Sequence, residues 1–388
     1  MTEGGDGYLA EARAQISPPS TNDIRLETIT EPQRLYALKP HWDDLCRRSP
    51  GHNFSHSFEW CWSAWALMGV PLHHRLFCVV GWREDRMVLI WPSVIYRRGL
   101  WSTLKPLGSV TTEYSDVLVE DGPDANRWVA QAWQMLRATC ESDTIYLPYV
   151  RADSRLYPVV SRDHPMVAWT QPVSSVSWDG YRDWDSYRSS RKKHFRYLLR
   201  AKRRQLAERG NLSFEAVTQP DQFPPVFDWL LSRKNEWLIR TKRDRPWRAT
   251  ELYRKFLIAV ATQRNSIGNI ALFVLKLDDR IISTVLCRIS RSGSEGLIAT
   301  FDRCFAAYGP GQLLLEDVLK WAFDQGIAFD FRIGSAPYKR YWTNREANVV
   351  SYRFVNSSWG AVFSRVSRLR AGLQIPARSL LQTLRQKL

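Results

Sequence analysis

The stretch Ile298-Ala-Thr-Phe-Asp-Arg-Cys-Phe-Ala-Ala-Tyr-Gly-Pro-Gly-Gln-Leu-Leu-Leu-Glu-Asp-Val-Leu-Lys-Trp-Ala-Phe-Asp-Gln-Gly326 reads as a strand, a tight Gly-Pro-Gly loop and an amphipathic helix that stops at a glycine. A glycine-rich turn opening a helix leaves backbone N–H groups unpaired at the positive end of the helix dipole. That end is a seat for a phosphate or pyrophosphate. A second cluster follows at Arg332-Ile-Gly-Ser-Ala-Pro-Tyr-Lys-Arg-Tyr-Trp342. Together they point to an enzyme that holds a nucleotide-bearing co-substrate and works beside it.

The rest of the chain sets the frame. At 388 residues and 44% apolar it can form two domains with real cores. Its 18 tryptophans are scattered rather than set in a repeat, so they are expected to fill cores and line clefts. A net charge of +16 favours anionic partners: CoA-type phosphates, anionic lipid surfaces, acidic glycans or nucleic acid. No zinc-finger spacing or RNA-recognition signature is present, which disfavours nucleic acid. The six cysteines form no C-x-x-C pair and read as free, buried thiols of a reducing compartment. The N-terminus does not read as a signal region, and no apolar run approaches the ~20 residues a bilayer span needs. A cytoplasmic protein, peripheral at the inner membrane, is the expectation.

Residues 1–22 are rich in Gly, Ser and Pro and read as disordered. An α/β region follows, with helices over 32–48, 57–69 and 123–139. Its strands fall at 24–29, 76–82, 87–96, 116–119 and 144–150. The pattern weakens over 151–185, where the domain junction is placed. A long basic helix is expected from Trp184 to about Arg209. The second half then reads β-α-α-β-β-β-α-β-α-β, ending at Val355. The predicted organisation is 23–170, 185–357 and a basic amphipathic helical tail at 358–388.

That element order, with a phosphate loop after the fourth strand, resembles the GNAT (Gcn5-related N-acetyltransferase) fold. Tyr308-Gly-Pro-Gly311, Phe329-Asp-Phe-Arg-Ile-Gly334 and Tyr338-Lys-Arg-Tyr-Trp342 resemble the CelD/BcsL-type acetyltransferases. That family occurs in cellulose and exopolysaccharide gene clusters and is related in architecture to the FemAB transferases. Its loop is usually Tyr-Ser-Pro-Gly, and an acidic residue usually follows the later glycine. This chain has Gly309 and Ser335 there, and the second change removes a carboxylate. Asn53-Phe-Ser-His-Ser-Phe-Glu-Trp60, Leu107-Gly108 and Tyr114-Ser-Asp116 carry the resemblance into the first half, which lacks a Gly-x-Gly loop. The expectation is an α/β (α+β) protein of two tandem GNAT-like acyl-CoA N-acyltransferase domains with mixed central sheets flanked by helices. The first is degenerate and shapes an acceptor cleft.

The resemblance implies an acyltransferase that uses acetyl-CoA or another acyl-CoA and no metal. The acceptor would be an amine or hydroxyl of a sugar, a polysaccharide precursor or a small metabolite. Tyr308, Gly309, Gly311, Gln312 and Leu313 would hold the pyrophosphate. Ile298, Ala299 and Thr300 would pair with the pantetheine arm. Lys339 and Arg340 read as contacts for CoA phosphates or an acidic acceptor, or as a solvated surface pair. Tyr338 would protonate the departing thiolate, as a phenol that keeps its proton at neutral pH can. Asp302, then Glu236, are the candidate general bases. The basic run over 186–209 and the tail over 361–388 read either as solvated helix faces or as contacts for an anionic membrane surface. His52 and His56 have helix-type metal spacing but no evident third ligand. Two other readings stay open. One is FemAB-like transfer from aminoacyl-tRNA, with RNA on the basic helix. The other is a non-catalytic GNAT scaffold for a polysaccharide synthase complex.

Overall fold

A computed structural model of the chain describes residues 24–49, 51, 53–109, 114–217, 219–241, 251–263, 268–291 and 293–365. The segment 1–22, His52 and the tail beyond residue 365 lie outside these described residues. The N-terminal half opens with β1 (Arg25–Ile29), α1 (Pro32–Ala37), α2 (Lys39–Arg48) and α3 (Phe58–Ala64). It continues through β2 (Arg75–Leu76), β3 (Cys78–Arg83), β4 (Arg86–Trp91), β5 (Ser93–Arg98), β6 (Trp101–Pro106) and β7 (Leu118–Val119). It closes with α4 (Ala125–Thr139), β8 (Thr144–Arg151), α5 (Tyr157–Val160) and β9 (Met166–Val176). The C-terminal half runs α6 (Trp184–Ser189), α7 (Lys193–Ala207), β10 (Leu212–Val217), α8 (Phe223–Arg240), α9 (Glu251–Thr262) and β11 (Gly268–Leu277). After these come β12 (Arg280–Ser290), β13 (Gly293–Phe301), α10 (Pro310–Asp324), β14 (Phe329–Ile333) and β15 (Arg345–Val355).

The expected order of the second half is therefore found, with a 3-10 turn at Pro337–Tyr341 in place of its last short helix. Several local expectations change. The helix expected over 32–48 breaks before Pro40, whose ring supplies no N–H, and restarts as α2. The long basic helix breaks at Ser190, whose Oγ donates to the Tyr187 carbonyl at 2.6 Å and competes with the helical bonds. The segment 57–69 ends in a π-turn over Trp65–Gly69. Strand β6 was not expected at all. The stretch read as a weak junction holds the eleven-residue β9.

Among the described residues, eleven strands form one sheet in the order β10-β11-β12-β13-β14-β9-β15-β8-β6-β5-β2, and β1-β3-β4-β7 form a second. The central strands are exchanged. Strand β9, from before α6, lies between β14 and β15, and β15 in turn pairs with β8 of the first half. Three apolar cores flank the sheets. One joins the halves: Trp42, Phe54 and Trp60 pack with Phe227, Tyr253 and Phe256, and the Trp60 and Phe256 rings meet edge-on at 4.9 Å. The second lies under α4, and the third lies between the sheet, α7 and α10. Trp42, Trp60, Trp91 and Trp342 are fully buried, as core-filling tryptophans should be. Five cysteines are buried, but Cys304 is exposed, contrary to the expectation for all six.

Candidate active site

The site begins where two neighbouring strands part. Strands β13 and β14 are parallel and pair only at Ser294↔Phe329 and Glu295↔Asp330. Beyond that point β13 runs on beside β12, and β14 turns towards β9. The register of β12 against β13 slips between Leu286↔Ile298 and Cys287↔Gly296, so Leu297 is the extra residue of a β-bulge. The result is a V-shaped cleft with one edge of β13 along its wall. Such an edge offers backbone groups to an extended ligand, as a sheet edge does to an added strand. Ile298, Ala299 and Thr300 line this stretch. The Ile298 side chain is buried in the inter-half core, and Ala299 is exposed.

The Gly-Pro-Gly loop follows directly. Gly309 has φ 59° and ψ 48°, the left-handed conformation that glycine adopts without strain. It ends the 3-10 turn Arg303–Tyr308 and caps α10. The Gln312 and Leu313 N–H groups both donate back to the Gly309 carbonyl, at 2.9 and 3.3 Å. The predicted cradle is therefore narrower than Tyr308–Leu313. Pro310 has no N–H, and among the described residues no protein acceptor faces the N–H of Gly311. Gln312 uses its side chain elsewhere, accepting from Trp342 Nε1 at 3.0 Å. The Leu313 side chain is fully buried. Two cations not foreseen at the loop complete it. The Lys202 ammonium of α7 lies 3.1 Å from where a β-carbon on Gly309 would stand, and Arg209 stacks on Tyr308 at 5.0 Å.

The two candidate bases take other work. Asp302 is the cap of the 3-10 turn, accepting from the Cys304 N–H at 3.0 Å and from Arg280 at 2.6 Å. Burial would raise its carboxyl, but the Cys304 N–H and the Arg280 guanidinium outweigh burial and hold it below the ordinary range. It is a fixed, ionised capping group and a poor proton acceptor. Glu236 is exposed and paired with Arg233 at 3.1 Å. Its neighbour Lys234 reaches β13, donating to the Ala299 carbonyl at 3.5 Å. Positions i and i+2 of a helix lie about 200° apart, so Glu236 points away from the side on which Lys234 meets β13.

Lys339 is also reassigned. It is 4% exposed and donates to the carbonyls of Arg332 and Ile333, both at 2.8 Å. Arg332 has a left-handed φ of 63°, a strained position for a residue with a side chain, and Lys339 ties down the carbonyls that this kink exposes. Burial lowers its ammonium to about 8. It braces the end of β14. Tyr338, on the same turn, is 37% exposed, and burial raises its phenol above the ordinary value. It holds its proton, as a general acid must.

The point of the V carries a polar cluster that was not anticipated. Glu295 accepts from Arg288 at 2.5 Å and lies 3.5 Å from Arg332. Asp330, its partner across the parallel pair, accepts from the Tyr114 hydroxyl at 3.0 and 3.1 Å and from Arg151 at 3.1 Å. Tyr114 and Arg151 come from the N-terminal half, so both halves build this end of the cleft.

Residues 193–340 match the family model described as "Acetyltransferase (GNAT) domain". The chain is similar to a solved structure of FemX, with TM-score 0.58 and 11% identity over 85% of this chain and 97% of that one. It is similar to L-PGS from Bacillus licheniformis, with TM-score 0.51 and 14% identity over 88% and 97%. It is also similar to the C-terminal domain of a putative lysylphosphatidylglycerol synthetase from Agrobacterium fabrum, with TM-score 0.50 and 12% identity over 86% and 95%. At such identities the likeness is one of fold. No curated protein matches the sequence. The match to the GNAT domain model thus falls on the second half, within a mixed α/β fold whose sheets are flanked by helices.

Proposed function

We propose that this protein transfers an acyl group from an acyl-CoA to an amine or hydroxyl acceptor that enters between its two halves. The observation that carries this reading is the V between β13 and β14 ending at a Gly-Pro-Gly helix start flanked by Lys202 and Arg209. Gly311 N–H and the two cations would hold the donor's phosphates. The β13 edge would align its arm, and the Leu297 bulge would present an N–H to the thioester oxygen. Tyr338 would protonate the thiolate. A sugar or polysaccharide-precursor acceptor rests on the motif resemblance alone.

Titration calorimetry with acetyl-CoA, longer acyl-CoAs and free CoA tests the donor. Micromolar binding that varies with acyl length is expected. Absence of binding to all of them would remove the acyl-CoA reading. In the same series Tyr338→Phe should bind the donor like wild type and turn over about 10²-fold more slowly. Wild-type turnover would end the general-acid role.

A second reading, aminoacyl-tRNA as donor, draws on the exposed face of α7 that carries Lys193, Tyr197, Arg200 and Arg204. We favour an anionic membrane surface for that face and for residues 361–388, of which 366–388 lie outside the described residues. The protein would then be cytoplasmic and peripheral. No helix among the described residues is long and apolar enough to cross a membrane. Reversing Lys193 and Arg200 to Glu should weaken sedimentation with phosphatidylserine-containing vesicles about tenfold or more. Unchanged binding would clear α7 of that role.

A further inference from the structure

We propose that Tyr114, backed by Asp330, takes the proton from the acceptor as it attacks the acyl carbon. This inference rests on the acyl-transfer reading above. It supplies the base that Asp302 and Glu236 do not.

Three observations place the pair. First, Asp330 stands at the last paired position of β13 and β14, where the V opens. The bulge residue Leu297 is two residues beyond Glu295 on the adjoining strand, roughly 7 Å along it. A nucleophile at the acyl carbon would thus lie within a side chain's reach of this cluster. Second, the faces agree. Phe329 and Phe331 point into the core under α10, so Asp330 and Arg332 face the other way, towards the N-terminal half. Leu297 and Ile298 pack against the inter-half core on that same side. Third, Tyr114 is only partly buried, and its hydroxyl rests on both Asp330 oxygens. The acceptor side of the cleft therefore ends in a phenol backed by a carboxylate.

The surrounding charges fit the task. Asp330 is faced by Glu295 from β13, Arg332 from its own strand, Arg151 from β8 and Lys339 from the following turn, with Arg288 of β12 behind Glu295. Burial raises the Asp330 carboxyl first, and the charge of Glu295 raises it further, against the arginines. Glu295 itself is held low: the Arg288 and Arg332 charges overcome its burial. Of two adjacent carboxylates, one thus stays ionised and the other becomes the better proton acceptor.

The step balances. The acceptor's lone pair forms the new bond to the thioester carbon, and the carbonyl π pair moves to oxygen. The acceptor's proton passes to Tyr114 Oη as the Tyr114 proton passes to Asp330. Collapse breaks the C–S bond, and the thiolate takes the Tyr338 proton. Solvent then restores both groups. Tyr114 is the catalytic residue and Asp330 the positioning residue behind it.

The test uses the full chain with acetyl-CoA as donor and hydroxylamine as acceptor, following thiol release against pH per unprotonated hydroxylamine. Asp330→Asn keeps an oxygen for the Arg332 N–H, 2.5 Å away in the native chain, but cannot take a proton. It should lower kcat about 10²-fold with an unchanged donor Kd, and flatten the acid limb of the profile. Tyr114→Phe, which removes one oxygen, should lower kcat about tenfold or more with the melting temperature kept. If Asp330→Asn does not fold, the Tyr114→Phe rate alone decides. Both variants within about threefold of wild type at every pH would overturn the relay and leave acyl transfer standing. No thiol release from the wild type would overturn both.

Discussion

Gly311→Glu should abolish donor binding while leaving the fold as stable as wild type, or more so. A β-carbon on Gly311 would stand 3.5 Å from the Phe301 ring, an ordinary contact, and its φ is not one that demands glycine. The residue lies in the first turn of α10, where a carboxylate interacts favourably with the helix dipole by about 0.3–1 kcal/mol. Replacing a helical glycine adds about as much again. The same carboxylate, however, would occupy the seat assigned to the donor's phosphate and pair with Lys202 itself. Donor Kd should rise about 100-fold or more, or ~2.7 kcal/mol. Gly311→Ala is the control, with only modest weakening expected. If Gly311→Glu bound acetyl-CoA as wild type does, the loop would not be the phosphate site. If it lost stability instead, the glycine would be a packing requirement and the ligand argument would lapse.

The Gly-Pro-Gly turn and the helix it opens were legible in the sequence because their signal is local. Gly309, Pro310 and Gly311 each carry a backbone preference, and the leucines after them carry the helical period. The V was not legible. It depends on where residues 293–301 and 329–333 cease to pair, and no window of sequence contains both strands. Strand β9 was hidden for a related reason. Pro172 lies within it and reads as a strand breaker, and the Val167 and Trp169 side chains of its first half are exposed, so its apolar pattern does not mark a buried face. The Tyr114–Asp330 contact spans 216 positions, with Tyr114 read only as part of a resemblance and Asp330 as part of a motif. Asp302 is different, because the signal was present and read for chemistry. An Asp two residues before an N–H at the start of a helical turn is a cap by residue type and place, and capping is what it does. Lys339 shows the converse limit. A lysine in a Tyr-Lys-Arg run reads as a surface charge, and only the kink at Arg332 gives it two buried carbonyls to hold.

Trp342→Ala should be the most destabilising single change near the site, costing about 3–5 kcal/mol. The side chain is 1% exposed, so its loss leaves a cavity among Phe195 and its neighbours, whose ring it meets edge-on at 5.0 Å. Its indole N–H is the donor to Gln312 in the first turn of α10. Its carbonyl accepts from the Tyr187 hydroxyl at 2.5 Å and from Arg191 at 3.2 Å. One residue thus joins the turn after β14 to α6 and to the segment before α7 through its carbonyl, and to the helix that follows the Gly-Pro-Gly turn through its indole. The variant should therefore also bind the donor more weakly, because Gln312 is the immediate neighbour of Gly311. Trp342→Phe separates the two effects. It keeps most of the ring volume, loses the indole N–H, and should cost only about 1–2 kcal/mol while still weakening the donor. Thermal melting read beside donor titration distinguishes the cases. If Trp342→Ala melted within about a degree of wild type, the packing of the indole and its bond to Gln312 would not hold the turn against α10. If it melted early but bound the donor with wild-type affinity, the loop would be held by α10 alone, and the turn after β14 would be coupled to folding and not to the site.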